Sequence, residues 1–163
     1  MAKNKEEKTN VMRVLEQKKI AYTAHTYPHE EGVAVDGVTV AMSMGFDPAI
    51  VFKTLVARGA SKQYYVFDVP VAENLDLKKA AKAVGEKSIE MIHQKELLPL
   101  TGYVHGGCSP VGMKKLFPTV FHETAENLTA MIVSAGKIGY QVELAPHDLA
   151  ALVRAKFADI IVE

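Results

Sequence analysis

The chain has no tryptophan, a single cysteine and no excess charge of either sign, since 19 lysines and arginines balance 19 aspartates and glutamates. One cysteine cannot close an internal disulfide, which excludes a disulfide-stapled scaffold. Balanced charge excludes a global field that would draw the protein to nucleic acid or an anionic membrane, so any RNA contact must be a local patch. No run approaches the roughly 18 apolar residues of a membrane span. The first ten residues, MAKNKEEKTN, are charged where a signal peptide needs an apolar core. Also missing are a GxxxxGK[ST] loop, a GxGxxG following a strand, an HExxH, a CxxC and a GxSxG elbow. The usual marks of triphosphate and dinucleotide binding, of zinc and of a serine nucleophile are therefore lacking. These absences predict a cytoplasmic protein with no membrane or DNA partner.

What is present is the composition of an ordinary folded protein, long enough at 163 residues to bury a core without metal or disulfide. No repeat, low-complexity tract or linker divides it, so a single domain over 1–163 is expected, with residues 1–8 loose. Val11, Val14 and Leu15 recur at helical spacing, with Thr9 or Asn10 as the N-cap. IAYTAHTYP reads as a strand over 20–27, followed by a loop at HEEGVAVDG. Residues 36–44 form a weaker helix pattern closed by Gly45. VFKTLVAR and QYYVFDVP, joined by Gly-Ala-Ser-Lys, predict a hairpin with Phe52, Thr54 and Val56 on one face and Lys53, Leu55 and Ala57 on the other.

In ENLDLKKAAKAVG the residues Leu77, Ala80, Ala81 and Val84 line one helix face, with Asn74 as cap and Gly85 as stop. KSIEMI, FPTVFHE, TAMIVSAG and YQVEL read as short strands. HQKELLP reads as a helical turn, and PHDLAALVRAKF as a helix with Leu149, Leu152 and Val153 inward. Short strand-to-strand connections forbid an all-parallel sheet. The expected fold is α/β, a mixed and partly barrel-like sheet surrounded by helices.

Cys108 lies in HGGCSPVGMKK, three residues after His105 and ahead of Lys114 and Lys115. It reads either as an activated nucleophile or as a small buried hydrophobe. Gly106 and Gly107 let backbone amides approach a ligand oxygen, while Pro110 stiffens the loop exit; the alternative is a plain tight turn. Lys53, on a strand among apolar neighbours, is either a snorkelling surface cation or a pocket cation that binds phosphate or carboxylate or polarises a carbonyl. His25 and His29, with Glu30 and Glu31 nearby, raise a zinc reading, but Pro28 between them breaks any single helix face. Candidate RNA-facing cations are Lys78, Lys79 and Lys82, then Lys114 and Lys115, then Arg154 and Lys156; the alternative for each is a solvated face.

Taken together, HTY at 25–27, VFKTLV at 51–56, NLDLKKAAKAVG at 74–85, TGYVHGGCSPVGMKK at 101–115, IVSAGKIG at 132–139 and KFADI at 156–160 span almost the whole chain in order. In these stretches the sequence resembles the YbaK/EbsC family of bacterial aminoacyl-tRNA deacylases, and its Cys-tRNA(Pro) deacylase branch most closely. The resemblance implies a fold related to the editing domain of prolyl-tRNA synthetase. It implies cleavage of the ester between a wrong amino acid, cysteine in this branch, and the 3′ end of tRNA(Pro) after release by the synthetase. It further implies attack by the substrate's own thiol, giving a cyclic thioester, with no cofactor, metal or enzyme nucleophile.

By position, Lys53 matches the family's strand lysine. Gly106 and Pro110 bound its GxxxP loop, with the Gly107 and Cys108 amides as carbonyl-oxygen donors and Ser109 inside the frame. Tyr27 matches a pocket tyrosine, Phe52 a wall, and Ser134, Ala135 and Gly136 a small-residue turn beside the pocket. Gln141 stands where family members often place an aspartate, a departure that bears on amine recognition, and residues 32–44 fit the family's usual helix poorly. Deacylation of Ala-tRNA or of another small amino acid is the nearest alternative activity. A non-catalytic module that binds tRNA or synthetase is the alternative from another class.

Overall fold

In the computed structural model, which describes residues 8–163, helices begin and end where side chains and glycines settle the orphan backbone groups. Of the stretch expected to be loose, residues 1–7 lie outside the described residues, whereas Lys8 pairs with Glu16 at 2.9 Å. Helix α1 (Asn10–Gln17) starts where Thr9 Oγ1 accepts the Met12 N–H at 3.3 Å, and it buries Val11, Met12 and Leu15. Strand β1 (Thr23–Thr26) follows and is shorter than the expected 20–27.

Helix α2 (Gly37–Met44) forms despite three β-branched residues in a row. Asp36 accepts the Thr39 N–H at 3.1 Å, and Gly45 ends the helix with φ 80°. Two good caps and the burial of Val40 and Ala41 outweigh the modest helix propensity of Val38, Thr39 and Val40.

Strands β2 (Phe52–Gly59) and β3 (Tyr64–Pro70) make the expected antiparallel hairpin, with Lys53 opposite Val69 and Thr54 opposite Asp68. Helix α3 (Leu77–Val84) is capped by Asp76, not Asn74: the Asp76 carboxylate accepts the N–H groups of Lys78 and Lys79 at 2.9 and 3.0 Å. Asn74 is held otherwise, its carbonyl accepting the Val162 N–H at 2.9 Å. That offset leaves Leu77 41 % exposed rather than inward, while Ala80 and Ala81 are buried.

Strand β4 (Ile89–Met91) leads into α4 (Gln94–Thr101), which runs past Pro99 where only one turn was expected. Thr101 Oγ1 donates to the Leu97 carbonyl at 2.7 Å and Gly102 closes the end at φ 90°. Strands β5 (Thr119–His122), β6 (Met131–Ser134) and β7 (Tyr140–Leu144) precede α5 (Pro146–Val153). This last helix stops four residues before the expected end at Phe157. Arg154 turns the chain at φ 60°, and β8 (Lys156–Ala158) joins the sheet parallel to β5.

The strands form two sheets rather than one that curls toward a barrel. Five strands, ordered β4-β2-β3-β5-β8, mix antiparallel and parallel pairs, and three, ordered β1-β7-β6, are antiparallel throughout. One isolated parallel bridge, Val51 to Ile132, joins them, so no hydrogen-bond ladder closes. The largest apolar cluster draws on α1, on Phe52, Val56 and Phe121 of the larger sheet, on Met131, Val133 and Val142 of the smaller, and on α5. A second cluster lies between the larger sheet and α3, and a third, with Ala41, Val51, Val71 and Ile132, seats α2. No helix among the described residues is long and apolar enough to cross a membrane.

Candidate functional site

Where β2 begins, beside the bridge between the sheets, lies a cavity of about 420 Å3. Five consecutive residues, Val51 to Leu55, border it, so the cavity bends round the strand and meets side chains from both of its faces. Residues 34–37 and Val40 line it as well, which brings the start of α2 to the cavity.

Lys53 is the cation of this cavity. Its side chain is partly buried, and among the described residues no carboxylate comes within ion-pair distance of its ammonium. Burial lowers its pKa, and the more distant charges of Asp36 and Glu73 offset that only in part. Asp36 already serves as the cap of α2. A cation held this way is left free to meet an anionic or carbonyl oxygen.

The glycine loop between α4 and β5 contributes His105, Gly106 and Cys108 to the lining. Gly106 has φ +90°, and a Cβ there would lie 2.7 Å from the Cβ of Ala34, so this position admits no side chain. A Cβ on Gly107 would lie 3.1 Å from the Ile138 nitrogen, which lets the loop pack directly on the backbone after β6. Of the two amides expected as donors, Gly107 N–H is taken up by the Val104 carbonyl at 3.0 Å. Cys108 N–H has no such partner among the described residues and remains available. The Cys108 thiol is buried, and burial, reinforced by the negative charge of Asp68, pushes its pKa up to about 12. At neutral pH it is therefore a neutral thiol, in the state opposite to that of an activated nucleophile.

Tyr27 is 5 % exposed and borders the cavity just after β1, its N–H donating to the Gly139 carbonyl at 3.0 Å. Phe52 and Ser134 complete the group of expected residues on the lining. The cavity thus gathers Tyr27, Phe52, Lys53, Gly106, Cys108 and Ser134, while Gly107, Ser109, Pro110, Ala135 and Gly136 stand behind it. Ser109 is fully buried and accepts the Val111 N–H at 3.2 Å, a turn contact. Ala135 donates to the Tyr140 carbonyl at 3.0 Å, and Gly136 packs so closely on Tyr103 that a Cβ would lie 2.9 Å from its ring.

Gln141 also lines the cavity, and its Oε1 is buried without a hydrogen-bond partner among the described residues. Leu97, Val71 and the 34–37 wall had no sequence signal as site residues, and packing of chain-distant elements puts them there, whereas Thr54 follows Lys53 on the same strand.

His25 and His29 do not converge on one point. His25 Nε2 meets Glu143 at 2.8 Å, and His29 Nδ1 meets the Tyr27 carbonyl at 2.9 Å. Among the candidate RNA-facing cations, Lys79 is tied to Asp159 at 3.0 Å and to the Ile161 carbonyl at 2.9 Å. Lys78 and Lys82 instead border a shallow depression with Lys87. Lys114 reaches the Pro99 carbonyl at 3.3 Å, Lys115 lies over Phe117, and Lys156 sits in β8 rather than on a helix.

The chain is similar to known proteins along most of its length. Residues 32–152 match the aminoacyl-tRNA editing domain. A proposed Cys-tRNA(Pro)/Cys-tRNA(Cys) deacylase of Enterococcus faecalis, EbsC, is 47 % identical over 161 residues, covering 98 % of each chain. Among solved structures, a proposed trans-editing enzyme for prolyl-tRNA synthetase superposes with a TM-score of 0.79 at 25 % identity, covering 94 % of this chain and 95 % of that one. A hypothetical protein 18 % identical superposes with a TM-score of 0.82 over 93 % of this chain and 99 % of its own, a likeness of fold.

Proposed function

This chain belongs to the aminoacyl-tRNA editing domain family, and on that footing we propose that it deacylates Cys-tRNA(Pro) in trans, clearing a mischarged product that prolyl-tRNA synthetase has released. The observation that carries the reading is that one small, largely apolar cavity is lined both by Lys53, a partly buried cation with no ion-pair partner among the described residues, and by Cys108, whose amide is unpaired among them. The cavity's volume falls within the range of small-ligand sites.

An aminoacyl ester is already activated, so the protein need mainly orient it and stabilise the oxyanion that develops. Lys53 holds the terminal phosphate or the ester carbonyl, and Cys108 N–H donates to the carbonyl oxygen. The substrate's thiol attacks the carbonyl carbon, which yields a cyclic thioester and free tRNA. Prolyl esters are spared because their side chain carries no nucleophile and a rigid ring. Gly107, Ser109, Pro110, Ala135 and Gly136 contribute by shaping the two turns that frame the cavity. The reaction takes place in the cytoplasm and needs neither cofactor nor metal. With no net charge to supply affinity, tRNA is engaged together with the synthetase, and Lys78, Lys82 and Lys87 are the local cations suited to phosphate.

A panel of tRNA(Pro) charged with cysteine, alanine or proline tests the assignment. Fast release of cysteine, slow release of alanine and none of proline is expected. Equal rates on cysteine and alanine would remove the thiol from the mechanism.

A further inference from the structure

Asp68 occupies the middle of β3, fully buried, where the strand otherwise presents apolar side chains to the core. Its Oδ1 accepts the Thr54 hydroxyl at 2.5 Å across the hairpin, and its Oδ2 has no hydrogen-bond partner among the described residues. One neutral hydrogen bond does not offset the cost of burying a carboxylate. Thr54, in contrast, is partly exposed and borders the cavity beside Lys53 and Cys108. A hydroxyl has a single proton. Because Thr54 gives its proton to Asp68, the Thr54 oxygen offers only lone pairs to a ligand in the cavity.

The charges around this pair are few. The strands flanking Asp68 place Thr54 and Phe121 beside it, and the 3-10 turn over 48–50 that also packs on β3 carries no titratable group. From the glycine loop, Cys108 senses Asp68 and stays protonated. Lys53 takes its charge partners from Asp36 and Glu73. Burial, opposed only by the Thr54 bond, raises the Asp68 carboxyl to about 7, where it exchanges a proton near neutral pH.

We propose that Thr54 and Asp68 together accept the thiol proton of the bound cysteinyl ester, with Thr54 touching the substrate and Asp68 acting through it as a positioning residue. This rests on the reading of the cavity as a Cys-tRNA(Pro) site. The S–H proton passes to Thr54 Oγ1 as the Thr54 proton passes to Asp68 Oδ1. The sulfur electron pair forms the S–C bond at the ester carbonyl, and the C–O bond to the tRNA ribose breaks. The leaving ribose oxygen takes a proton from Thr54, which recovers one from Asp68, so no proton is consumed overall.

Single-turnover deacylation of Cys-tRNA(Pro) by the full chain, followed from about pH 5.5 to 8.5, tests the proposal. The wild-type rate should rise through an inflection near 7 to a plateau, since only ionised Asp68 accepts the proton. D68N keeps an acceptor for the Thr54 hydroxyl but cannot take its proton. Its plateau should fall by about 100-fold and the inflection should vanish, with the half-saturating enzyme concentration unchanged. T54S should retain most of the rate and T54V should lose as much as D68N, a pair that decides the matter even where D68N fails to fold. A D68N profile superimposable on wild type, or a T54V rate equal to wild type, overturns the relay. A wild-type protein inactive on Cys-tRNA(Pro) overturns the functional reading itself.

Discussion

Replacing Lys53 by methionine removes the cation while keeping a long unbranched stem, and so separates charge from packing. The ammonium is partly buried, no carboxylate lies within salt-bridge reach among the described residues, and burial depresses its pKa. The free protein therefore carries this charge at a net cost, and its removal should leave stability unchanged or raise it by up to about 1 kcal/mol, the pattern of a functional group held against stability. Catalysis should move the other way. A charge-assisted hydrogen bond to a phosphate or a developing oxyanion contributes about 1.5–3 kcal/mol, which corresponds to a loss of roughly 10- to 150-fold in rate. Thermal melting and single-turnover deacylation of Cys-tRNA(Pro), run on the same preparation, measure both. K53M that deacylates as fast as wild type refutes the site, and K53M whose melting temperature falls by more than about 5 °C refutes the account of Lys53 as an uncompensated charge.

Cys108→Ser should keep most of the deacylase activity, because a thiol held up to about 12 supplies almost no thiolate at neutral pH; a loss as large as that of K53M in the same rate assay would make the sulfur a nucleophile after all. Gly106→Ala should cost about 1–3 kcal/mol of stability and at least 10-fold in rate, since its positive φ is strained for alanine and its Cβ would press on Ala34, as chemical denaturation and the rate assay will report. Asp68 is protonated well above its unfolded value, so the native state binds the extra proton between about pH 4 and 7. Wild-type stability should therefore be greater at pH 5 than at pH 8 by as much as about 2.7 kcal/mol, an upper bound that local water would reduce. Denaturation of D68N should show that slope flattened, and an unchanged difference between the two pH values would contradict a buried, proton-holding carboxyl.

Much of the site was legible because its residue types are unusual in their local pattern. A lysine among apolar strand residues and a Gly-Gly pair beside Ser-Pro each raise a question on their own, and both border or frame the cavity. Asp68 offered the same kind of signal, a carboxylate inside VFDVP, yet its meaning depends on Thr54 lying opposite in the hairpin, a register that composition does not state. The wall over 34–37 and Leu97 carried no signal at all, since contact across sequence-distant elements places them.

Local chemistry likewise predicted most elements but not how they assemble. β1 pairs with β7, joining Thr23 to Glu143, and this distant pairing produces a second sheet where one continuous sheet was expected. At α3, two good capping residues stood two positions apart, and the bond from Val162 N–H to the Asn74 carbonyl sets that residue in a pairing segment and leaves the cap to Asp76.

The four-residue connection over 60–63 is, in effect, a ruler for the chemistry at the other end of β2, about 20 Å away at the usual rise per residue. Hydroxyl and ammonium follow one another at positions 54 and 53, so they leave the strand in opposite directions. Any insertion or deletion that shifted β2 by one step would send the ammonium toward buried Asp68 and carry the hydroxyl away from that carboxylate. Loop length, a trait usually free to drift, is here bound to the accuracy with which the protein would separate one amino acid from another.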